Sequence, residues 1–100
     1  MALVGRKVGA APARVSVRDL GYRWGSCGKS GSVYFNWKLL QLPVRVIDYV
    51  VAHELAHLLE RRHGLAFWTV LDRSLPDWRD RSEELRIKVR DIYWCNGRMA

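Results

Sequence analysis

His53-Glu54-Leu55-Ala56-His57 brings together side chains whose types and spacing support chemistry, and His63 is the third and last histidine of the chain. On a helix, residues four apart share one face, one turn apart. Two imidazoles at that spacing can point at one zinc ion. Glu54 then lies about 100° round from His53 and about 60° from His57. Its carboxylate can reach a water on the metal without taking a coordination position. The pattern implies a zinc hydrolase, in which the metal acidifies water and Glu54 accepts the proton as general base.

A catalytic zinc usually has three protein ligands and one open position. His63 cannot be the third if the helix runs on through it. It would sit about 9 Å further along the axis than His57 and point about 120° away. The helix must therefore break near Arg61–Arg62, with Gly64 as its C-terminal punctuation. Metzincins, which also have six residues from second to third histidine, place a glycine where this chain has Glu60. The competing third ligands are downstream carboxylates, Asp72, Asp77 or Asp80. His63 is favoured, because imidazole suits zinc and these aspartates have another use at helix starts. The zinc would assist the oxyanion, with Tyr22, Arg23, Tyr34 and Tyr49 as candidate helpers. Cys27 has no histidine left to act as its base and reads as structural.

The elements that must position these groups follow from periodicity. Arg14–Leu20 alternates, with Val15 and Val17 on one side, and reads as a half-buried strand. Residues 25–32 hold three of the eight glycines and read as a turn. Residues 32–37, β-branched and aromatic, read as the second arm of a hairpin and as the sheet edge beside the site. Pro43 suits a helix start, and that helix is expected to run to about Arg61. Ile47, Val51, Leu55 and Leu58 form its core stripe, with the histidines on another face. A second helix is expected over 65–75, stopped by Pro76, and a third over 78–93. In the third, Trp78, Leu85, Val89 and Ile92 face inward, and Arg79, Arg81, Arg86, Lys88 and Arg90 face out.

At 100 residues, with 49% hydrophobic and 27% charged, the chain reads as one globular domain over 14–100. Residues 1–13, rich in Gly, Ala and Pro, read as a flexible N-terminal tail without the apolar core of a signal peptide. No stretch is long enough for a membrane span. Two cysteines do not make a disulfide framework, which suits a reducing cytoplasm. The net charge of +7 would attract polyanions, nucleic acid or nucleotides among them.

Five segments in order carry a more specific signal. They are Tyr22-Arg23-Trp24-Gly25-Ser26-Cys27, Asn36-Trp37-Lys38-Leu39-Leu40 with Leu42-Pro43, Ile47 to Leu58, His63 with Phe67-Trp68, and Leu75-Pro76-Asp77. Together they resemble the YgjP-like (WLM-related) zinc metallopeptidase family over about residues 14–90, and more distantly the SprT-like proteases that act around DNA. The resemblance implies His53, His57 and His63 as zinc ligands and Glu54 as the catalytic glutamate. It also implies an α+β, zincin-like minimal fold, a small antiparallel or mixed sheet on the HExxH helix plus two further helices. The family's long N-terminal region is short here, and Arg62-His63-Gly64 replaces its usual Asn-His-Ser. A smaller sheet or cleft and an altered turn are therefore expected.

The expected function is a zinc-dependent metallopeptidase acting on polypeptide. The alternatives are a metal-dependent nucleotide phosphohydrolase, which has also been proposed within the family, and a DNA-associated protease or basic nucleic-acid-associated module. No membrane partner is expected, and the sequence leaves the oligomeric state open.

Overall fold

The computed structural model describes residues 8–88 apart from Tyr22 and Lys29. Three strands, β1 (Arg14–Arg18), β2 (Gly25–Cys27) and β3 (Ser32–Asn36), precede a short 3-10 helix over Trp37–Gln41. Three α-helices follow: α1 (Val44–Leu59), α2 (Leu65–Ser74) and α3 (Trp78–Lys88). Residues 89–93, expected as the end of the third helix, lie outside the described residues, as does Arg90 of its basic face. The fold is α+β, with a small mixed sheet beside the helix that carries the HExxH segment. No helix among the described residues is long and apolar enough to cross a membrane.

Sheet order is β1-β3-β2. β3 runs parallel to β1 and antiparallel to β2, so it is the central strand and not the expected edge. The hairpin therefore joins β2 to β3. Residues 25–27, expected within a turn, are extended because β3 supplies their hydrogen-bond partners. The turn proper is shorter, and Gly31 takes φ +78° in it, a conformation open to glycine at little cost. Gly28 N–H donates to Ser32 O at 2.7 Å to close it.

β1 departs from the half-buried reading. Val15 and Val17 pair in register with Val33 and Phe35 and so lie on the same face of the sheet. Val33 and Phe35 are buried, yet Val17 is 64% exposed. The reason is lateral: α1 packs beside β2, and β1 lies at the opposite edge of the sheet. Alternation reports which residues share a face, not whether that face is covered. Within the segment read as a tail, Val8 is fully buried and its carbonyl accepts from Arg73 Nη2 at 2.8 Å.

α1 starts where Pro43 ends the preceding turn, with φ −58° and ψ 148°, and Pro43 O accepts from Val46 and Ile47. From Tyr49 to His57 every residue is buried. The helix is packed against β2, α2 and α3, so both its core stripe and its histidine face are covered. Leu55, Phe67 and Leu71 are fully buried, each contributing about 1.5–3 kcal/mol of transfer free energy. Arg81 links α3 to the start of α1. Its Nη1 donates to Arg45 O at 2.9 Å, and its Nε to Asp77 Oδ1 at 3.0 Å.

Asn36 fixes the path into β2. It is buried, and its Nδ2 donates to Arg23 O at 2.9 Å and Gly21 O at 3.2 Å. Its Oδ1 accepts from Lys38 N at 3.1 Å and so caps the 3-10 helix. One side chain thereby holds the segment leading into β2 against the end of β3.

Candidate metal centre

α1 sets two imidazoles on one face, and its end decides the third. The helix stops at Leu59, slightly before the expected break. Glu60 is extended, with φ −138° and ψ 106°, while its N–H still closes on Ala56 O at 2.9 Å. The chain then turns through residues 60–64 into α2. Gly64, expected as a C-terminal cap, has φ −95° and is instead the N-cap of α2. That turn carries His63 back over α1. Its ring centre lies 5.3 Å from that of His53 and 4.5 Å from that of His57. The candidate ligand atoms of the three histidines all fall within 4.8 Å of one another.

Aromatic side chains hold the cluster. The Phe67 ring centre lies 4.5–5.1 Å from all three imidazoles. Trp68 stacks on the exposed His63 at 5.7 Å, and its Nε1 donates to His63 O at 3.2 Å. Trp78 of α3 stacks in turn on Trp68 at 4.9 Å. These tryptophans restrain a histidine that has no helix of its own. The sequence signals Phe67 and Trp68 within the segments that carry the family resemblance and Trp78 as an inward position of the third helix, and it assigns none of them a role at the histidines.

Hydrogen bonds assign the tautomers. His57 Nδ1 lies 3.3 Å from Glu60 O, which can only accept. His53 Nδ1 lies 3.3 Å from Glu54 Oε2. A proton on each Nδ1 leaves the lone pair on Nε2, as in metal-binding histidines whose other nitrogen is held by a carbonyl or carboxylate. Burial, followed by the proximity of His63, lowers the pKa of His53 to about 3. The imidazole is thus neutral at neutral pH, the form that donates to a metal. A donor set of three imidazole nitrogens brought this close together fits zinc.

Glu54 is fully buried, next to His53 and facing β2. Cys27 Sγ–H donates to Glu54 O at 3.4 Å. Burial first, then the charge of Glu54, push the Cys27 thiol up to about 11, against a smaller opposing effect of Arg61. At pH 8 its thiolate fraction should be about 100-fold below that of an unperturbed thiol. Iodoacetamide labelling, followed by mass spectrometry of the Cys27 peptide, should show that slowing against a free cysteine peptide. Equal rates would mean that the site stabilises the thiolate after all.

The competing carboxylates stand elsewhere. Asp72 accepts from Trp78 Nε1 and Arg79 Nη1, and Asp77 from Arg81. Asp80 is exposed in the first turn of α3. Among the described residues, His53, His57 and His63 are the one cluster suited to a metal. Of the suggested oxyanion helpers, Tyr49 is buried in the core and Tyr34 lies under the Arg18 guanidinium at 4.8 Å. Arg23 is exposed, and Tyr22 lies outside the described residues. On the basic face of α3, Arg79, Arg81 and Arg86 each meet a carboxylate, of Asp72, Asp77 and Glu83.

The YgjP-like, metallopeptidase domain family matches this chain over residues 1–88. A similar solved structure is that of the metallopeptidase zymogen abylysin from Pyrococcus abyssi, with a TM-score of 0.76. The two are 22% identical, and the match covers 87% of this chain and 89% of that one. The likeness identifies the fold as zincin-like. No curated protein matches the chain significantly.

Proposed function

We propose that this chain, which belongs to the YgjP-like metallopeptidase domain family, is a zinc-dependent peptidase with His53, His57 and His63 as ligands and Glu54 as general base. The observation that carries this reading is the meeting of three imidazoles from α1 and the following turn, with one buried carboxylate beside them. A bound zinc ion would polarise the scissile carbonyl and lower the pKa of a water. Glu54 accepts the proton of that water and delivers it to the leaving amine. His53 and His57 stay neutral, each with Nδ1 tied to an acceptor. Phe67 excludes water from the inner side of the imidazoles.

The substrate is an extended polypeptide. β2 is the edge strand beside α1, and an edge strand offers main-chain donors and acceptors to an incoming chain. This role falls to β2 and not to residues 32–37, since β3 is flanked on both sides. A nucleotide would instead call for several arginines converging on the metal. Arg79, Arg81 and Arg86 are engaged with carboxylates on the α3 side, and Arg61 Nη2 donates to Gly28 O at 3.1 Å. These engagements support peptide over phosphate chemistry.

The test is a screen of zinc-loaded protein against an unfolded polypeptide, such as reduced and alkylated casein, and against nucleoside triphosphates. Casein should be cleaved and the triphosphates left intact, with Glu54→Gln as the control for contaminating protease. Phosphate release that Glu54→Gln abolishes, with no casein cleavage, would replace the peptidase reading by a phosphohydrolase.

A further inference from the structure

We infer that Gly25 of β2 is a positioning residue for Glu54, the absence of its side chain creating the space in which the Glu54 carboxylate is seated. This rests on the reading of Glu54 as general base. A Cβ at Gly25 would stand 2.6 Å from Glu54 Cγ, 3.0 Å from Cδ and 3.3 Å from Oε2. Ordinary carbon contacts are about 3.5–4.0 Å, so the overlap with Cγ approaches an ångström. All three nearest atoms belong to the one glutamate. The backbone of Gly25 takes no positive φ, so conformational freedom does not explain the glycine. Close approach does.

The strand cannot easily retreat. Gly25 pairs with Phe35 of β3 and Cys27 with Val33. Gly25 and Cys27 are two apart and so share a face. On that face, Cys27 Sγ–H holds the Glu54 backbone carbonyl at 3.4 Å. β2 thus grips α1 at the base itself: the thiol fixes the backbone, and the glycine leaves room for the side chain. Cγ is the middle of the Glu54 side chain, and Glu54 is fully buried. A methyl group at position 25 must therefore rotate the carboxylate out of its seat or push α1 and β2 apart.

Gly25→Ala should still bind one zinc per chain, since the three atoms nearest its Cβ all belong to Glu54 and none to a ligand histidine. Its affinity should be up to about 10–100-fold weaker as the carboxylate leaves His53 Nδ1, so activity is read at saturating zinc. Its kcat should fall about 100-fold, as for a reacting group misplaced by about an ångström, with KM within about twofold because the β2 main chain persists. Activity within threefold of wild type, where Glu54→Gln is inactive, would overturn the inference. A stability cycle tests the contact independently. Gly25→Ala should lower Tm by several degrees in the wild-type background and hardly at all in the Glu54→Ala background. Equal losses in both would make Gly25 a purely structural glycine and overturn the proposal. If Glu54→Gln retains full activity, the base assignment fails, and the stability cycle alone decides whether Gly25 seats Glu54.

Discussion

Glu54→Gln is expected to remove peptide hydrolysis while leaving the metal centre and the fold in place. The amide is nearly isosteric with the carboxylate, so the space opposite Gly25 remains filled. Its oxygen can still accept from His53 Nδ1, which stands 3.3 Å from Glu54 Oε2. What is lost is basicity: an amide does not take a proton from water at neutral pH. General-base contributions typically run from about 10²- to 10⁴-fold, and kcat should fall by that order. The variant should be at least as stable as wild type, because a carboxylate buried without contact to solvent is costly to fold around. Zinc analysis, Tm and kcat on a fluorogenic peptide separate these effects. A kcat within a few-fold of wild type would exclude Glu54 as the base. A loss of zinc together with activity would mean that Glu54 acts through the ligands.

The site is more legible in the sequence than the sheet, and the physics explains the difference. His53 and His57 are placed by helical periodicity, a local rule. The return of His63 follows from the same rule by contradiction, since a continuous helix would carry it away. Pro43 and Pro76 bound their helices through backbone restrictions that act within one residue. The sheet depends on partners distant in sequence. Gly25-Ser26-Cys27 has the composition of a turn and becomes a strand only because β3 pairs with it. β3 becomes central only because β1, across the whole β2 hairpin, joins its other side in parallel. The valines of β1 alternate correctly, yet the coverage of their face is set by where α1 lies. The histidine side of α1 likewise reads as separate from the core stripe, whereas packing by β2, α2 and α3 buries both. The seat of Glu54 is a distance between two elements, and the only sequence trace of it is a glycine where a strand would otherwise take a β-branched residue.

His63→Ala should reduce zinc affinity by more than about 100-fold, since losing even an outer-sphere partner of a ligand typically costs about 10–100-fold. His63 is the informative position. His53 and His57 belong to a helix that is buried in any case, so their replacement disturbs packing as well as binding. His63 is exposed, and a smaller side chain there opens no core cavity. In the metal-free state His63→Ala should therefore match wild type in Tm, or exceed it by relieving the proximity of His63 to His53. With zinc present, wild type should gain stability in proportion to metal binding, and the variant should gain far less. Acid should act in the same direction. The folded-state pKa of His53 is depressed from 6.5 to about 3, so its contribution to stability is present above pH 6.5 and is lost as pH falls from 6.5 towards 3. Protons compete for the same lone pairs, and zinc release should begin within that window. Chelator competition at pH 7.5 gives the affinities, and thermal melts with and without zinc give the linkage. Full zinc occupancy in His63→Ala, with an unchanged zinc-induced rise in Tm, would exclude His63 as a ligand. A carboxylate would then have to complete the site, and Asp72 and Asp77 would have to leave the tryptophan and arginines that now hold them.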